Sequence, residues 1–408
     1  MNIAMFTNNY KPFVGGVPIS IERLTDGLRK LGHNVYIFAP TYPNQIKEEN
    51  VFRFKSHKSM VLDAKAPIPY TYDPEIEKEF KKLHIDVIHT HHPVICGWTA
   101  LHFGKKYNIP VLFTYHTKYE EYIHNVKFLN YLINKSKHTK NKSFNLSEVS
   151  LNLVKNHIIP GQVKYFSNKC DMVIAPTQTI KQDLERTGIK TKISVIPTGI
   201  SPVFFEEVGE DAREIRSEYK GDKKFLFCSV SRISKEKNID FIIDGIYNLK
   251  NEVGDCFKLM LIGDGPDIEK YQLKAKNRGV DKNVVFVGNI PNEIIADYYK
   301  ASDLFLFASK SETQGIVLLE AMSSKTPIVA VKASGVQDVV VNGENGFMTE
   351  DDVSQWVESI KSIMKDESLY KKLQDGAYKT AQNFSTHNIA LKAQEAYNDS
   401  IVIHKCCK

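Results

Sequence analysis

The sequence lacks the features of membrane-spanning, secreted and cysteine-liganded proteins. It contains no run of about 18 or more apolar residues, so we expect no spanning helix. Its start, MNIAMFTNNY, has no basic segment followed by an apolar one, and we therefore predict no secretory signal. The six cysteines have no metal-like spacing and are interpreted as reduced thiols of a cytosolic protein: Cys96, Cys170, Cys228, Cys256, Cys406 and Cys407.

The remaining composition is that of a soluble globular chain, with 42% apolar and 25% charged residues. A length of 408 residues exceeds what one ordinary hydrophobic core organises. The chain is therefore expected to form two domains.

Charge is divided unevenly between the two halves of the chain. Residues 1–200 contain 27 Lys and Arg against 16 Asp and Glu, whereas residues 201–408 contain 27 against 32. Within residues 118–169 there are nine lysines and three acidic residues. This asymmetry favours contact of the first half with an anionic surface, either a membrane or a nucleic acid. A solvated lysine-rich face is the alternative.

Short apolar segments alternate with segments of helical periodicity along the whole chain. Such strands between helices are typical of a parallel sheet covered on both faces. The predicted strands of the first half are 2–6, 34–39, 86–90, 111–115, 172–176 and 193–197, and those of the second half are 225–231, 258–263, 283–288, 304–308 and 327–331.

These strands predict an α/β protein with two Rossmann-like, doubly wound parallel-sheet domains that face each other across a cleft. The join is expected near residues 197–205, where Pro, Gly and Pro interrupt a strand-like run. A closing stretch, 386–403, has the apolar spacing of a helix and fits either domain. Ligands of open parallel sheets bind beyond the carboxyl ends of the strands, so functional residues should cluster there.

Two glycines, Gly15 and Gly16, follow the first predicted strand and precede a helix. Adjacent glycines at a helix start let backbone N–H groups approach an anion, so a phosphate site is one interpretation and a plain glycine turn is the other. The segment is not G-x-G-x-x-G, and no acidic residue ends the second strand, which disfavours a nicotinamide dehydrogenase.

Strand ends in the second half carry two cations and two glycine-containing turns. Arg232 and Lys237 lie in the loop after strand 225–231, and two cations beside a helix start suit a diphosphate. An exposed basic loop is the alternative. Gly263 and Gly265 predict a close-approach turn, and Asn289 with Ile290 follows another strand end where a flat base could lie.

Two glutamates frame the last of these strand ends. Glu312 lies in the loop after strand 304–308, and Glu320 lies inside the following helix, about 7.5 Å along its axis from Gly315. The helix-borne acid is expected to accept hydrogen bonds from ribose hydroxyls and the loop-borne acid to approach a sugar. The backbone amides of Gln314, Gly315 and Ile316 should then face a phosphate, a spacing that describes a nucleotide-sugar.

The combination of GGV after the first strand, R-x4-K, G-D-G-P and E-x7-E resembles the retaining GT-B glycosyltransferase family of the E-x7-E type. The stretches FTYHTKYEEYIHNV, NKCDMVIAPT and VIPTGI are most similar to the bacterial 1,2-diacylglycerol 3-glucosyltransferases of that family. The resemblance covers essentially the whole chain. It implies an N-terminal acceptor domain of residues 1–199 with the closing helix, 384–408, and a C-terminal donor domain of residues 200–383.

The resemblance also implies the roles of individual residues. His116 would line the reaction centre, Arg232 and Lys237 would hold the donor diphosphate, Glu312 would contact the donor sugar, and Glu320 would bind ribose. The expected donor is UDP-glucose, although GDP donors share these motifs.

The sequence contains no D-x-D pair, so we expect no cofactor and no metal, with the two cations neutralising the leaving diphosphate. The run His89, Thr90, His91, His92 is not interpreted as a metal site, because ligands on an extended segment alternate sides and no acidic or cysteine partner is near in sequence.

The predicted acceptor is a lipid in an anionic membrane. An apolar stripe followed by a cationic end could lie among lipid headgroups, and the residues expected there are Tyr119, Tyr122, Lys127, Lys135, Lys137, Lys140 and Lys142. A core-facing helix with an exposed lysine loop is the alternative. We expect no nucleic-acid partner and a location at the inner face of the cell membrane.

The leading hypothesis is a membrane-associated enzyme that transfers glucose to the 3-hydroxyl of 1,2-diacylglycerol. A retaining transferase with a soluble acceptor and a non-catalytic sugar-nucleotide-binding subunit remain as alternatives.

Overall fold

The structure is a computed structural model that describes residues 1–13, 15–43, 45–57, 67–118, 154–310, 312 and 314–406. The chain divides into two compact units. Unit 1 comprises Met1–Gly199 and His387–Lys408, and unit 2 comprises Ile200–Thr386.

Unit 1 is built on a seven-stranded parallel sheet in the order β3-β2-β1-β6-β7-β8-β9. Two short strands, β4 and β5, pair antiparallel outside it. The strands are β1 Asn2–Phe6, β2 Asn34–Pro40, β3 Val51–Phe54, β4 Ser56–His57, β5 Ile68–Pro69, β6 Val87–Thr90, β7 Val111–Thr114, β8 Met172–Ala175 and β9 Ile193–Val195.

Successive residues of β1 pack on opposite faces of this sheet. Ala4 and Phe6 join one buried apolar cluster, while Ile3 and Met5 join another. Burial on both faces explains why the strand is apolar throughout, and each large side chain so buried contributes about 1.5–3 kcal/mol. The helices described before the join are α1 Gly16–Lys30, α2 Pro74–Lys82, α3 Cys96–Tyr107, α4 Ile159–Ser167 and α5 Gln178–Arg186.

Unit 2 repeats the architecture with a six-stranded parallel sheet in the order β12-β11-β10-β13-β14-β15. Its strands are β10 Phe225–Val230, β11 Phe257–Ile262, β12 Val284–Gly288, β13 Leu304–Phe307, β14 Ile328–Val331 and β15 Gly346–Thr349. Its helices are α6 Glu210–Lys220, α7 Ile239–Val253, α8 Ile268–Asn277, α9 Ile295–Lys300, α10 Ile316–Ser323, α11 Ser334–Gln337, α12 Val353–Lys365 and α13 Glu367–Gln382.

The final helix, α14 Thr386–Cys406, begins at the boundary between the units and continues into unit 1. Its residues Ile389, Ala393 and Tyr397 are buried in the apolar cluster that contains Ile3 and Met5. The observed boundary follows Thr386, a few residues after the predicted one at 383/384, because Ile200 hydrogen-bonds Phe384 and Thr386 through its backbone.

Two strands of the large sheets were missing from the sequence prediction, and both are edge strands. The segment of β3, VFRF, has a charged residue in its short apolar run, and β15 starts at Gly346. Edge strands are buried on fewer sides than central ones, so their apolar signal is weaker. Within the described residues, no helix has the length and apolar character needed to cross a bilayer.

Candidate active site

The sheet of unit 2 reverses its strand order between β10 and β13, which is where open α/β sheets bind ligands. The loop after β10 carries Arg232 and Lys237, and the loop after β13 carries Glu312. Topology alone therefore brings these three predicted residues to one region of unit 2.

The loop after β10 is held by local hydrogen bonds and ends at a left-handed residue. A 3₁₀ turn covers Lys235–Lys237, and Asn238, with φ 56°, starts α7. Ser234 Oγ donates to Glu236 Oε1 at 2.6 Å. Burial raises the pKa of Glu236, but this hydrogen bond and the nearby charges of Arg232 and Lys237 outweigh it and lower the pKa overall. Arg232 itself is exposed.

Lys237 and Glu312 form an ion pair that the sequence analysis did not predict. Lys237 Nζ donates to Glu312 Oε1 at 2.5 Å, and their side chains are 21% and 16% exposed. Partial burial reduces solvent screening, so this pair is stronger than a typical surface pair. The two residues are 75 positions apart, and only the folding of unit 2 brings them together.

The backbone of Glu312 is anchored by the start of α11. Ser334 Oγ and the Gly335 N–H both donate to the Glu312 carbonyl, at 2.6 and 3.2 Å. A Cβ atom on Gly335 would lie 3.0 Å from Glu312 Cβ and 2.9 Å from the Gln314 carbonyl carbon. Glycine at this position therefore allows the two loops to pack closely.

The helix that carries Glu320 starts without a side-chain cap. Gly315 has φ 70°, and Ile316 begins α10. By contrast, α2, α5, α12 and α13 start at side chains that accept a backbone N–H, which are Asp73, Thr177, Asp352 and Asp366. The predicted contact of the Gln314, Gly315 and Ile316 amides with a phosphate stays a prediction.

Glu320 lies on the buried side of α10 and is only 6% exposed. Its Oε2 accepts a hydrogen bond from the hydroxyl of Tyr299, a fully buried residue, at 3.0 Å. Tyr299 is not among the residues predicted from the sequence, and no local pattern marks it. The predicted ribose contact of Glu320 stays a prediction.

The glycines of the turn after β11 pack closely against the backbone of the loop after β10. A Cβ on Gly263 would lie 2.0 Å from the Ser231 carbonyl oxygen, and one on Gly265 would lie 2.1 Å from that of Ile233. The Gly263 N–H donates to the Gly288 carbonyl at 2.7 Å. The turn thus supports the Arg232 loop, while its predicted contact with ribose or base stays a prediction.

Asn289 and Ile290, the other residues predicted to bind the base, follow β12. Asn289 is exposed, and Ile290 packs partly against the core of unit 2. Their proposed contact with a base stays a prediction.

The predicted diphosphate set is divided between the two units. Gly15 and Gly16 begin α1 in unit 1, whereas the cations and the α10 amides belong to unit 2. Gly15 has φ 177°, an extended conformation open to any residue, and a Cβ on Gly16 would meet nothing within 4 Å. The backbone conformation of these residues therefore does not distinguish a phosphate site from a plain glycine turn.

The equivalent switch point of unit 1 lies between β1 and β6 and is lined by histidines. His91 and His92 directly follow β6, and His116 follows the neighbouring strand β7. Because Thr90 pairs with Phe113, the residues after both strand ends come side by side. His91 Nδ1 lies 2.9 Å from His116 Nε2, with the rings stacked at 5.2 Å between centroids.

The other two histidines are bonded to neighbouring elements. His89 Nδ1 lies 2.9 Å from the hydroxyl of Tyr397 on α14, and its Nε2 lies 2.6 Å from Thr114 Oγ1. His92 Nδ1 accepts the backbone N–H of Asn8 at 3.2 Å. These contacts hold the histidines in place around His116.

Burial lowers the pKa of all four histidines. The pKa of His89 falls to about 3 and that of His92 to about 4. The pKa of His116 falls to about 3, first through burial and then through the neighbouring His92 and His89, and that of His91 lies well below its ordinary value for the same kinds of reason. The cluster is therefore neutral at physiological pH.

Among the described residues, no group of three or more His, Cys, Asp or Glu has the arrangement of a metal site. From the sequence, the histidine run is not interpreted as a metal site, because ligands on an extended segment alternate sides and no acidic or cysteine partner is near. The sequence analysis did not predict that His89 and His91 lie next to His116. A usable signal was present, because His89 and His91 are separated by one residue at the end of a predicted strand, and His116 follows the next predicted strand.

The residues predicted to meet lipid lie outside the described residues. They are Tyr119, Tyr122, Lys127, Lys135, Lys137, Lys140 and Lys142.

Comparison with known proteins gives the family. A model of glycosyltransferase family 4 matches residues 14–204, and one of glycosyl transferases group 1 matches residues 211–380. An alpha-monoglucosyldiacylglycerol synthase of Streptococcus pneumoniae is 33% identical over 345 residues, which cover 81% of this chain and 71% of that protein. The chain belongs to the GT-B glycosyltransferases. The resemblance and the fold class inferred from the sequence are thereby confirmed.

Further relatives of this glycosyltransferase agree. A second alpha-monoglucosyldiacylglycerol synthase, from Acholeplasma laidlawii, is 28% identical over 85% of this chain and 84% of its own. The HepE protein of Anabaena, solved in complex with UDP, matches with a TM-score of 0.73 at 18% identity and covers 98% of this chain and 100% of that one. A sucrose-phosphate synthase from Thermosynechococcus elongatus matches with a TM-score of 0.73 at 20% identity and covers 98% of both chains. Identities this low show a shared fold alone.

Proposed function

We propose that this glycosyltransferase transfers glucose from UDP-glucose to the 3-hydroxyl of 1,2-diacylglycerol with retention of anomeric configuration. The observation that carries the donor half is the pairing of Lys237 with Glu312 beside the uncapped start of α10. The acceptor half is supported by two relatives that are named alpha-monoglucosyldiacylglycerol synthases.

In the proposed donor site, unit 2 binds the sugar nucleotide. A lysine ammonium has three donors, so Lys237 can keep Glu312 and still donate to a phosphate oxygen. Arg232 is exposed in the same loop and adds a second positive charge. A preorganised donor at a developing anionic charge is worth about 10²–10³ in rate. Glu312 would orient the sugar, and Glu320 would bind the ribose.

The cations take the place of a bridging metal in this proposal. The sequence has no D-x-D pair, and Arg232 with Lys237 supplies the charge that opposes the leaving diphosphate. We therefore propose that turnover persists in EDTA.

In the transfer step, the acceptor oxygen forms a bond to the anomeric carbon on the face from which UDP departs. The bond between that carbon and the β-phosphate oxygen breaks, and the departing phosphate takes the acceptor proton. His116 of unit 1 would remain neutral, because burial holds its pKa at about 3, and would donate one N–H to a sugar hydroxyl. Its contribution is to orientation and charge stabilisation.

Membrane contact is proposed through residues 118–169, part of which the structure describes. Ile158, just before α4, is 53% exposed, and Tyr165, within α4, is 58% exposed. Lys155, Lys164 and Lys169 belong to the same segment, and Lys169 Nζ lies 4.7 Å from the ring centroid of Tyr165. Exposed apolar side chains among lysines suit the headgroup region of an anionic leaflet, where each lysine contributes about 1 kcal/mol. The proposed location is the inner face of the cell membrane.

The test is a transfer assay with purified protein in EDTA. UDP-glucose, UDP-galactose and GDP-mannose are each offered with diacylglycerol in anionic and in neutral vesicles, and the product is identified by mass and anomeric configuration. We expect an α-glucosyl-diacylglycerol from UDP-glucose, with faster turnover on anionic vesicles. A β-linked product, a strict need for added metal, or transfer only to a water-soluble acceptor would each overturn the corresponding part of the proposal.

A further inference from the structure

A buried tyrosine contacts the carboxylate of Glu320 in the interior of unit 2. The hydroxyl of Tyr299, on α9, donates to Oε2 of Glu320, on α10, at 3.0 Å. Tyr299 is 0% exposed and Glu320 is 6% exposed. A carboxylate that is removed from water costs free energy unless other donors replace the water, and Tyr299 supplies one such donor.

The position of the Tyr299 hydroxyl is set by the core of unit 2. The ring of Tyr299 lies 6.0 Å from that of Phe204 and 5.6 Å from that of Phe305, measured between centroids. Its backbone carbonyl accepts hydrogen bonds from Thr326 Oγ1 at 2.9 Å and from the Ser302 N–H at 3.0 Å. Because both the ring and the backbone are held, the donor that reaches Glu320 is carried by packed elements and not by a loop.

A hydrogen bond to one carboxylate oxygen restricts the rotation of the whole group. The last side-chain torsion of glutamate is broad, so a carboxylate without a fixed donor can turn about this bond. The Tyr299 hydroxyl selects the orientations in which Oε2 faces it. Tyr299 and Glu320 each take part in at least one further interaction, so this restriction adds to whatever the other contacts of Glu320 impose.

We propose that Tyr299 is a positioning residue that sets the plane of the Glu320 carboxylate and thereby makes the donor site prefer a ribonucleotide to a 2′-deoxyribonucleotide. This role rests on the proposed function, in which Glu320 binds the ribose. A carboxylate that accepts from two neighbouring hydroxyl groups must face both at once, so recognition of the diol depends on its orientation. Binding groups keep such a geometry only when supporting contacts lock them.

The size of the expected preference follows from the chemistry of a charged acceptor. A site built to bind a substrate hydroxyl rejects the analogue that lacks it, because the polar group of the site then loses a partner. Hydrogen bonds to charged groups are strong enough for UDP to bind at least about tenfold more tightly than 2′-deoxy-UDP. Without the Tyr299 hydroxyl the carboxylate can turn away from the diol, and this preference should fall about fivefold.

The test is calorimetric titration of the full-length chain with UDP and with 2′-deoxy-UDP, which needs no acceptor. Tyr299→Phe should reduce the ratio of the two Kd values about fivefold. It removes one hydroxyl and no apolar packing, so the variant should fold, which thermal unfolding checks. Tyr298→Phe is the matched control, because Tyr298 is the adjacent buried tyrosine of α9 and its ring lies near that of Tyr219, 6.2 Å away. That variant should keep the ratio of the unmodified protein.

Glu320→Gln shows whether the hydroxyl acts through Glu320. We expect this variant to lose most of the preference for UDP and Tyr299→Phe to change it no further in that background, since the effects of residues in contact are not additive. An unchanged ratio in Tyr299→Phe, with a loss in Glu320→Gln, would overturn the positioning role and leave the ribose contact standing. An unchanged ratio in Glu320→Gln would overturn the ribose contact of the proposed function, and the role of Tyr299 with it. Equal losses in Tyr298→Phe and Tyr299→Phe would assign the effect to a general weakening of α9 and refute the proposal.

Discussion

Unit 1 and unit 2 both place polar side chains after two neighbouring strands at or beside the switch point of a parallel sheet. In unit 1 these side chains are histidines that burial keeps neutral, and in unit 2 they are an ammonium and a carboxylate that face each other at 2.5 Å. All thirteen histidines of the sequence fall in residues 1–199 and 387–408, and residues 200–386 contain none.

Under the proposed function, this difference lets one topology serve two chemical tasks. A neutral donor can orient a hydroxyl group without attracting the diphosphate, whereas a cation supported by a carboxylate can stabilise a charged leaving group. The strand order positions the loops, and the residues in the loops decide the charge.

Lowering the pH is expected to have the largest effect on this comparison. The folded-state pKa of each buried histidine is depressed, so its contribution to stability is present above the unfolded pKa of about 6.5 and is lost as pH falls toward the folded value. Between pH 6.5 and 5, His89 and His92, whose pKa values fall to about 3 and about 4, should each reduce the free energy of unfolding of unit 1 by about 1–2 kcal/mol. Hydrogen exchange should show β1 and β6 losing protection in this window.

Unit 2 supplies the internal control for the acid experiment. In unit 2, ion pairs and hydrogen bonds lower the pKa of carboxylates such as Asp240, Asp255 and Glu367. The stability that these carboxylates contribute is lost only at more acidic pH. Protection of β10 and β13 should therefore persist at pH 5. Equal loss of protection in both units over this range would show that the histidines do not govern acid stability.

The second prediction concerns the charged side of the comparison. Lys237→Ala removes a donor to the proposed diphosphate and leaves the half-buried Glu312 without this cation. We expect kcat/KM for UDP-glucose to fall about 10²–10³-fold, as for the loss of one donor to a developing oxyanion. Steady-state kinetics and UDP titration of the purified variant measure the loss.

Lys235→Ala is its matched control, because Lys235 is exposed in the same 3₁₀ turn. That variant should turn over at close to the normal rate. If both substitutions reduce kcat/KM equally, the loop acts through its general positive charge, and the pairing of Lys237 with Glu312 has no special role.

Much of this organisation was predictable, and the failures have physical causes. The central strands are apolar because they are buried on both faces, so their ends, and with them Arg232, Lys237, Glu312 and His116, could be located from the sequence. The edge strand β3 contains Arg53 and lacks that signal.

Contacts between residues distant in sequence could not be predicted in the same way. Tyr299 reaches Glu320 and Lys237 reaches Glu312 through the fold of unit 2, and no local periodicity encodes either pair. The turn of Gly263 and Gly265 illustrates a subtler limit. The sequence predicted that these glycines lie close to another group. Only the structure shows that this group is the backbone carbonyls of Ser231 and Ile233.

That turn yields the smallest predicted effect. A Cβ on Gly265 would lie 2.1 Å from the Ile233 carbonyl oxygen, a backbone atom that cannot rotate away, so Gly265→Ala must displace the loop that carries Arg232 and Lys237. Forced overpacking of this kind costs about 1–3 kcal/mol. Thermal unfolding should show that loss in unit 2, and the affinity for UDP should weaken about tenfold because the cations move.

Gly209→Ala separates this steric effect from the general effect of adding a methyl group. Gly209 belongs to the same unit, has φ −77°, and a Cβ there would meet nothing within 4 Å. Its replacement should leave UDP affinity unchanged and alter stability by less than about 1 kcal/mol, since the new residue fits the existing backbone. If Gly265→Ala binds UDP as well as Gly209→Ala does, the turn after β11 does not position the cationic loop, and the charged half of the comparison depends on Lys237 and Glu312 alone.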